Sequence, residues 1–167
     1  LGGGAQLSEN WAFRLDVARQ EEDGFVDRAN EQREVLAGSL LYQPNQDLKV
    51  RFSVDYADVD AAPYWGTPLV NGEASTSQRR NNYNFADAKV NFKDTWSRIN
   101  LEYALSDNVT FRNDTYLLDA TREWQNLEEY SFNQTAELID RAVYLGIIHD
   151  QEQLGTRSDF LITSTIS

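Results

Sequence analysis

The side chains best suited to bind a ligand lie in a long polar stretch near the middle of the chain, which reads APYWGTPLVNG and then QRRNNYNF. Tyr, Trp and Arg are the usual anchors of recognition surfaces, because their rings stack on flat groups and the guanidinium attracts negative charge. The candidates are Tyr64, Trp65, Arg79, Arg80 and Tyr83, with Trp124 and Tyr130 of a second polar stretch as weaker ones. Alternatively, Tyr64 and Trp65 fold the first stretch onto itself, with turns at its Pro and Gly residues.

Catalysis and metal binding are weakly supported by the sequence. The chain has no Cys and one His, which excludes disulfides and thiolate sites and puts the usual zinc sites out of reach. His149 and Asp150 are neighbours that would point to opposite faces of a strand, while Glu128 and Glu129 have no partner nucleophile. We expect neither an enzyme nor a resident cofactor. Acidic residues outnumber basic ones by 27 to 15, so a nucleic-acid partner is not expected.

The elements that position these residues are strands, most clearly LKVRFSVDYA at 48–57 and WSRINLEYAL at 96–105. Alternating apolar and polar residues predict strands with one apolar and one polar face. The two apolar faces carry Leu48, Val50, Phe52, Val54, Tyr56, Ile99, Leu101 and Tyr103. The same alternation marks a strand at 11–19 and, more weakly, one at 36–42, and further strands begin at Val109 and run from about Ala142 through Phe160, Ile162, Ser164 and Ile166. The pattern predicts an all-β, antiparallel up-and-down meander of about six long strands.

The connections alternate between short and long. Short polar turns fall at 43–47 and 105–108, and long ones at about 20–31, 58–92 and 123–141. In a meander this puts every short turn at one end of the sheet, as in outer-membrane barrels with short periplasmic turns. A soluble sheet packed on a second sheet would also need one apolar face. Ionised residues on the opposite face favour the barrel, where they would line a wet lumen; they are Arg14, Asp16, Lys49, Arg51, Asp55, Arg98 and Glu102.

Four stretches of the chain resemble TonB-dependent siderophore receptors. GGGAQLSENWAFRLDVARQEEDGFVDR is similar to the first barrel strand and loop of that family, with Arg14, Gly24, Phe25 and Asp27 matching well. SLLYQPNQDLKVRFSVDYADVDAAPYWGTPLVNG resembles the next segment, with its QP…D turn and P…G.P loop. WQNLEEYSFN and RAVYLGIIHDQEQLGTRSDF look like a later loop and strand of the ferric-siderophore branch. The matches cover nearly the whole chain, in order.

The resemblance implies a barrel of about 22 strands in the bacterial outer membrane, plugged by a separate domain, that imports ferric siderophores with energy from TonB. The long loops would capture the ligand, the eight apolar residues of the two strands would face lipid, and iron would arrive only as a siderophore chelate. The implied partners are the ferric siderophore, TonB through the plug, and membrane lipid and lipopolysaccharide.

The predicted strands are too few for a whole barrel. Six strands cannot close on themselves, since the smallest natural barrels have about eight, and open edges are not tolerated in lipid. We therefore expect residues 1–167 to be part of a barrel domain, without the plug and the remaining strands. The alternatives are a soluble all-β binding module and a porin-like barrel without TonB coupling.

Overall fold

The computed structural model describes residues 1–163, in which seven strands form one antiparallel sheet. Each strand is hydrogen-bonded to the next along the chain, so the predicted meander is confirmed. The strands are β1 (Gly2–Ser8), β2 (Trp11–Glu22), β3 (Glu31–Tyr42), β4 (Leu48–Ala61), β5 (Lys89–Ser106), β6 (Val109–Asn133) and β7 (Leu138–Ile162). The strand beyond the expected six is β1, whose GGGAQLS sequence has no apolar alternation to reveal it. No helix in this range is long and apolar enough to cross a membrane.

The strands are longer, and the long connections shorter, than the sequence predicted. The prediction of a loop at 123–141 is wrong, because β6 and β7 each run for 25 residues and meet in a turn at 134–137. The loops predicted at 20–31 and 58–92 shrink to 23–30 and 62–88. Their outer residues pair in strands that lack a continuous apolar face, so period-two alternation could not mark them. Ser164 and Ile166 of the last predicted strand lie outside the described residues.

The register places the apolar side chains of neighbouring strands on one face of the sheet. Leu48 lies opposite Tyr103, Val50 opposite Leu101 and Phe52 opposite Ile99, and side chains of paired residues point the same way. We call this the apolar face and the other the polar face. No second layer covers the apolar face within residues 1–163, and Phe52 and Val54 are 41% and 47% exposed. A soluble sandwich would bury this face.

The character of the apolar face changes towards the long loops. One row further along from Val17, Leu36 and Tyr56, the same face carries Arg19, Glu34 and Asp58 together with Lys93. Arg19 and Lys93 form ion pairs at 3.1 Å with Glu34 and Asp58 respectively. The apolar residues therefore form a band of limited height, above which the same face is ionised.

The starting positions of successive strands are staggered in register, and this stagger gives the tilt of the strands. Trp11, the first residue of β2, aligns through Tyr42 with Val50, whereas β4 begins two residues earlier at Leu48. Leu48 aligns through Tyr103 with Phe111, whereas β6 begins two residues earlier at Val109. The stagger is one residue per strand. With a rise of about 3.3 Å and a strand spacing of about 4.8 Å, this corresponds to a tilt of about 35°, as in closed barrels.

Candidate ligand-binding surface

Residues 62–88, which we call the middle loop, are anchored on β6 by one buried amide. The Asn84 side chain is 2% exposed. Its Oδ1 accepts a hydrogen bond from the backbone N–H of Leu127 at 2.9 Å, and its Nδ2 donates to the carbonyl oxygen of Pro63 at 2.9 Å. Leu127 is fully buried beneath this contact. The middle loop is therefore packed against the sheet at both of its ends.

Residues 23–30, which we call the first loop, hold the same segment from the other side. The Arg28 guanidinium donates to the carbonyl oxygens of Asn82 at 2.6 Å and Asn84 at 3.0 Å. The backbone N–H of Asp27 donates to the carbonyl oxygen of Arg80 at 2.8 Å. The first loop has its own small core, since Val26 and Ala29 are buried. The two loops thus form one body.

Five of the predicted ligand residues come together where the middle loop meets β6, and we call them the aromatic surface: Tyr64, Trp65, Tyr83, Trp124 and Tyr130. The Trp65 ring stacks on the Trp124 ring with centroids 4.9 Å apart. The Tyr83 and Tyr130 rings lie 6.0 Å apart, and the Tyr130 hydroxyl donates to the carbonyl oxygen of Gly66. Placing Trp124 and Tyr130 in a loop was wrong, because both lie on β6. The strand nevertheless carries them beside the middle loop.

Tyr64 and Trp65 differ in how far their contacts within the chain occupy them. The Tyr64 hydroxyl is 3.1 Å from Thr67 Oγ1, and its ring meets Phe25 edge-on, so Tyr64 helps to fold the loops. Trp65 stays 46% exposed although one ring face is stacked. The Trp65 indole therefore has surface left for a ligand.

The Tyr130 hydroxyl is held in its protonated form. Burial raises the pKa of Tyr130 above its ordinary value, and the nearby Tyr64 raises it further. A protonated phenol is a hydrogen-bond donor, which matches its contact with the carbonyl oxygen of Gly66.

Arg79 and Arg80 are exposed. Arg80 contributes its backbone carbonyl to the contact with the first loop. The cation–π contacts of the described residues belong instead to Arg98 over Trp96 at 5.0 Å and Arg122 over Phe92 at 5.5 Å. A role for Arg79 and Arg80 in binding stays a prediction.

Sequence reasoning missed a group of aromatic residues on the polar face. Phe92 lies 6.3 Å from Trp124, and Trp96 lies 5.4 Å from Tyr116. The signal was available, since Trp96 has the same parity as Arg98 and Glu102 on its strand. The Tyr116 ring lies against Gly155 of β7, where an added Cβ would be 2.4 Å from Tyr116 Cε1.

Lower on the polar face, ionised side chains pair across strands. Arg98 contacts Asp55 at 2.5 Å, Arg112 contacts Glu102 at 2.8 Å, and Asn100 donates to Asp114 at 2.6 Å. These contacts link β4, β5 and β6. Charges satisfied in this way can line a polar interior without a large desolvation cost.

His149 and Asp150 fall on opposite faces, as their spacing predicted. His149 pairs with Arg122 of the polar face, and Asp150 pairs with Thr121 of the other. Within residues 1–163, no group of three His, Asp or Glu side chains is arranged to hold a metal ion.

Comparison with known proteins finds siderophore receptors that are similar to this chain. No family model matches the chain. A ferrioxamine receptor of Yersinia enterocolitica is 20% identical over 138 residues, which is 81% of this chain and 19% of that protein.

Two solved structures share the fold. The ferric-catecholate import receptor Fiu of E. coli K12 superposes with a TM-score of 0.81 and 14% identity, over 99% of this chain and 26% of that one. The siderophore receptor PiuA of Acinetobacter baumannii gives a TM-score of 0.76 and 17% identity, over 95% and 24%. The chain thus spans about a quarter or less of the length of these three proteins. It has the fold of a segment of the large β-barrels of siderophore receptors, the proteins that its motifs resemble.

Proposed function

We propose that this chain is part of the barrel domain of a bacterial outer-membrane receptor that takes up ferric siderophores with energy from TonB. The observation that carries the proposal is the aromatic surface, which two loops and β6 build at the end of the sheet opposite the short turns. The names of the similar proteins, a ferrioxamine receptor and two siderophore receptors, support the same function.

The two faces of the sheet suit two different surroundings. The apolar face, with Phe52, Val54 and Ile99 exposed, would contact lipid hydrocarbon, and the ionised row above it would meet lipopolysaccharide. The polar face, with its cross-strand ion pairs, would line the lumen and meet a plug domain outside these 167 residues. TonB would act through that plug.

Ligand capture would use the rings of the aromatic surface. The exposed face of Trp65 and the Tyr83 ring can stack on the flat chelating groups of a siderophore, and Arg79 and Arg80 can attract a negatively charged chelate. Iron would arrive already chelated, so the function needs no resident metal, cofactor or catalytic group. Neither an enzymatic step nor a nucleic-acid partner is part of the proposal.

The alternatives explain fewer of the observations. A soluble binding module would leave the whole apolar band in water, and large exposed apolar patches are rare in soluble monomers. A porin-like barrel without TonB coupling would have no use for an aromatic surface built from two loops and β6.

Uptake by the full-length receptor tests the proposal. We expect a host lacking its other siderophore receptors to take up radiolabelled iron as ferrioxamine B or ferric enterobactin when it carries the wild-type receptor. The double variant Trp65→Ala, Tyr83→Ala should raise the KM for uptake about tenfold, since each lost aromatic contact weakens binding by about 0.5–1.5 kcal/mol.

The matched control is Leu69→Ala, which shortens an exposed side chain of the same loop. It should leave the KM unchanged. Uptake of neither iron complex by the wild type, or an unchanged KM in the double variant, would contradict the proposal.

A further inference from the structure

Every polar group of Asn84 is engaged in joining separate parts of the candidate surface. Its side chain links Leu127 of β6 to Pro63, at 2.9 Å on each side. Its backbone N–H donates to Asn82 Oδ1 at 3.0 Å, and its carbonyl oxygen accepts from the Arg28 guanidinium at 3.0 Å. Asn is seldom fully buried, and a buried amide is tolerated only when its partners are in place.

The partners of Asn84 are the immediate neighbours of the ligand candidates. Pro63 precedes Tyr64 and Trp65, and Tyr83 precedes Asn84 itself. Leu127 lies between the two strand members of the aromatic surface. Fixing these three backbone segments to one amide therefore fixes the spacing of all five rings.

We propose that Asn84 is the positioning residue of the ligand surface, and that it holds the middle loop on β6 before any ligand arrives. This inference rests on the proposed function and deepens it. A ligand that meets an assembled surface does not have to order a long loop as it binds, so its affinity is higher. Asn84 touches no ligand in this account; it acts through the Tyr and Trp rings.

Limited proteolysis of intact cells tests the clamp without any ligand. Arg79 and Arg80 are exposed trypsin sites in the middle loop, and cleavage requires the segment to leave its docked position. We expect the wild-type receptor to resist trypsin at these residues. Asn84→Ala and Asn84→Leu should be cleaved there, and Thr76→Ala, an exposed position in the same loop, should behave as the wild type.

Asn84→Leu is the sharper variant, since Leu keeps the branching at Cγ and removes the amide without leaving a cavity. The same receptors are then compared for uptake of ferrioxamine B and ferric enterobactin at equal surface levels. Both Asn84 variants should raise the KM about tenfold while the maximal rate stays within about twofold, because lost preorganisation weakens binding rather than transport. A merely structural role would lower the amount of receptor and leave the KM alone.

Two results would overturn the proposal: resistance of Asn84→Leu to trypsin, or a wild-type KM in either Asn84 variant. The failure of the proposed function looks different. A wild-type receptor that takes up neither iron complex contradicts the function, while the trypsin pattern still decides whether Asn84 holds the loop.

Discussion

Two glycines allow close packing that any other residue would disturb. At Gly24 a Cβ would lie 2.4 Å from the carbonyl oxygen of Ala29, whose contact with the Gly24 N–H closes the first loop. At Gly155 a Cβ would meet the Tyr116 ring at 2.4 Å. In both places the missing side chain lets a neighbouring group approach the backbone closely, which is a common reason for glycine within or beside a strand.

Gly155→Ala should lower the free energy of unfolding of the receptor by about 1–2 kcal/mol, because the Tyr116 ring must be displaced from a well-packed position. The matched control is Gly146→Ala on the same strand, where an added Cβ would meet nothing within 4 Å. Denaturant unfolding of the receptor in detergent measures both. Tyr116→Ala should remove most of the penalty of Gly155→Ala, because the two residues are in contact. Equal effects of the two glycine substitutions would contradict this packing.

At the scale of one strand, β4 changes environment along its length. From Leu48 to Tyr56 its apolar side chains share one face, and beyond Tyr56 the same face carries Asp58 and Asp60. The reversal is matched on β2, β3 and β5, where charged residues occupy the same row. The change from apolar to charged residues after Tyr56 therefore marks the level at which the apolar surroundings of the sheet end.

Phe52→Arg should impair assembly of the receptor far more than Ser53→Arg. Phe52 lies in the middle of the apolar band, where an Arg facing lipid costs about 2–4 kcal/mol, whereas Ser53 lies on the polar face beside charged residues. The amount of folded receptor in the outer membrane, followed by its resistance to denaturation in detergent at room temperature, measures the difference. Similar folded levels for the two variants would show that Phe52 does not face lipid.

The sequence was sufficient to predict the strands whose two faces contact different environments. Alternation predicted 48–57, and β4 runs Leu48–Ala61. It failed where a strand lacks a continuous apolar face, as in the upper halves of β6 and β7. Alternation says nothing there, and polar composition was taken for a loop. The hydrogen bond between Asn84 and Leu127 joins residues 43 positions apart, and no local sequence pattern predicts such a contact.

At the scale of the whole chain, the sheet has tilted strands, and its two ends carry different kinds of connections. Seven strands at a spacing of about 4.8 Å and a tilt of about 35° span about 40 Å of circumference. One end carries the short turns 9–10, 43–47 and 107–108, and the other carries both loops and the β6–β7 turn. On the proposed function, the first end faces the periplasm and the second the outside.

Cysteine labelling tests this orientation, and an introduced Cys would be the only one within these 167 residues. Thr76→Cys in the middle loop should react with a membrane-impermeant maleimide on intact cells. Asp107→Cys, in a short turn, should react only after the outer membrane has been permeabilised. Both positions are exposed, so burial does not confound the comparison. Labelling of Asp107→Cys on intact cells would reverse the orientation.

The length of the middle loop also affects the order in which the strands of the sheet pair. Residues 43–47 close the β3–β4 hairpin with five residues, whereas 62–88 must close the β4–β5 pair with 27. The longer closure costs about 1.5 kcal/mol more in chain entropy. We therefore expect β1–β4 and β5–β7 to form first as two separate sheets, because the strands within each are joined by shorter connections. The hydrogen-bonded pairing of β4 with β5 forms last, and the docking of the middle loop then helps to stabilise it.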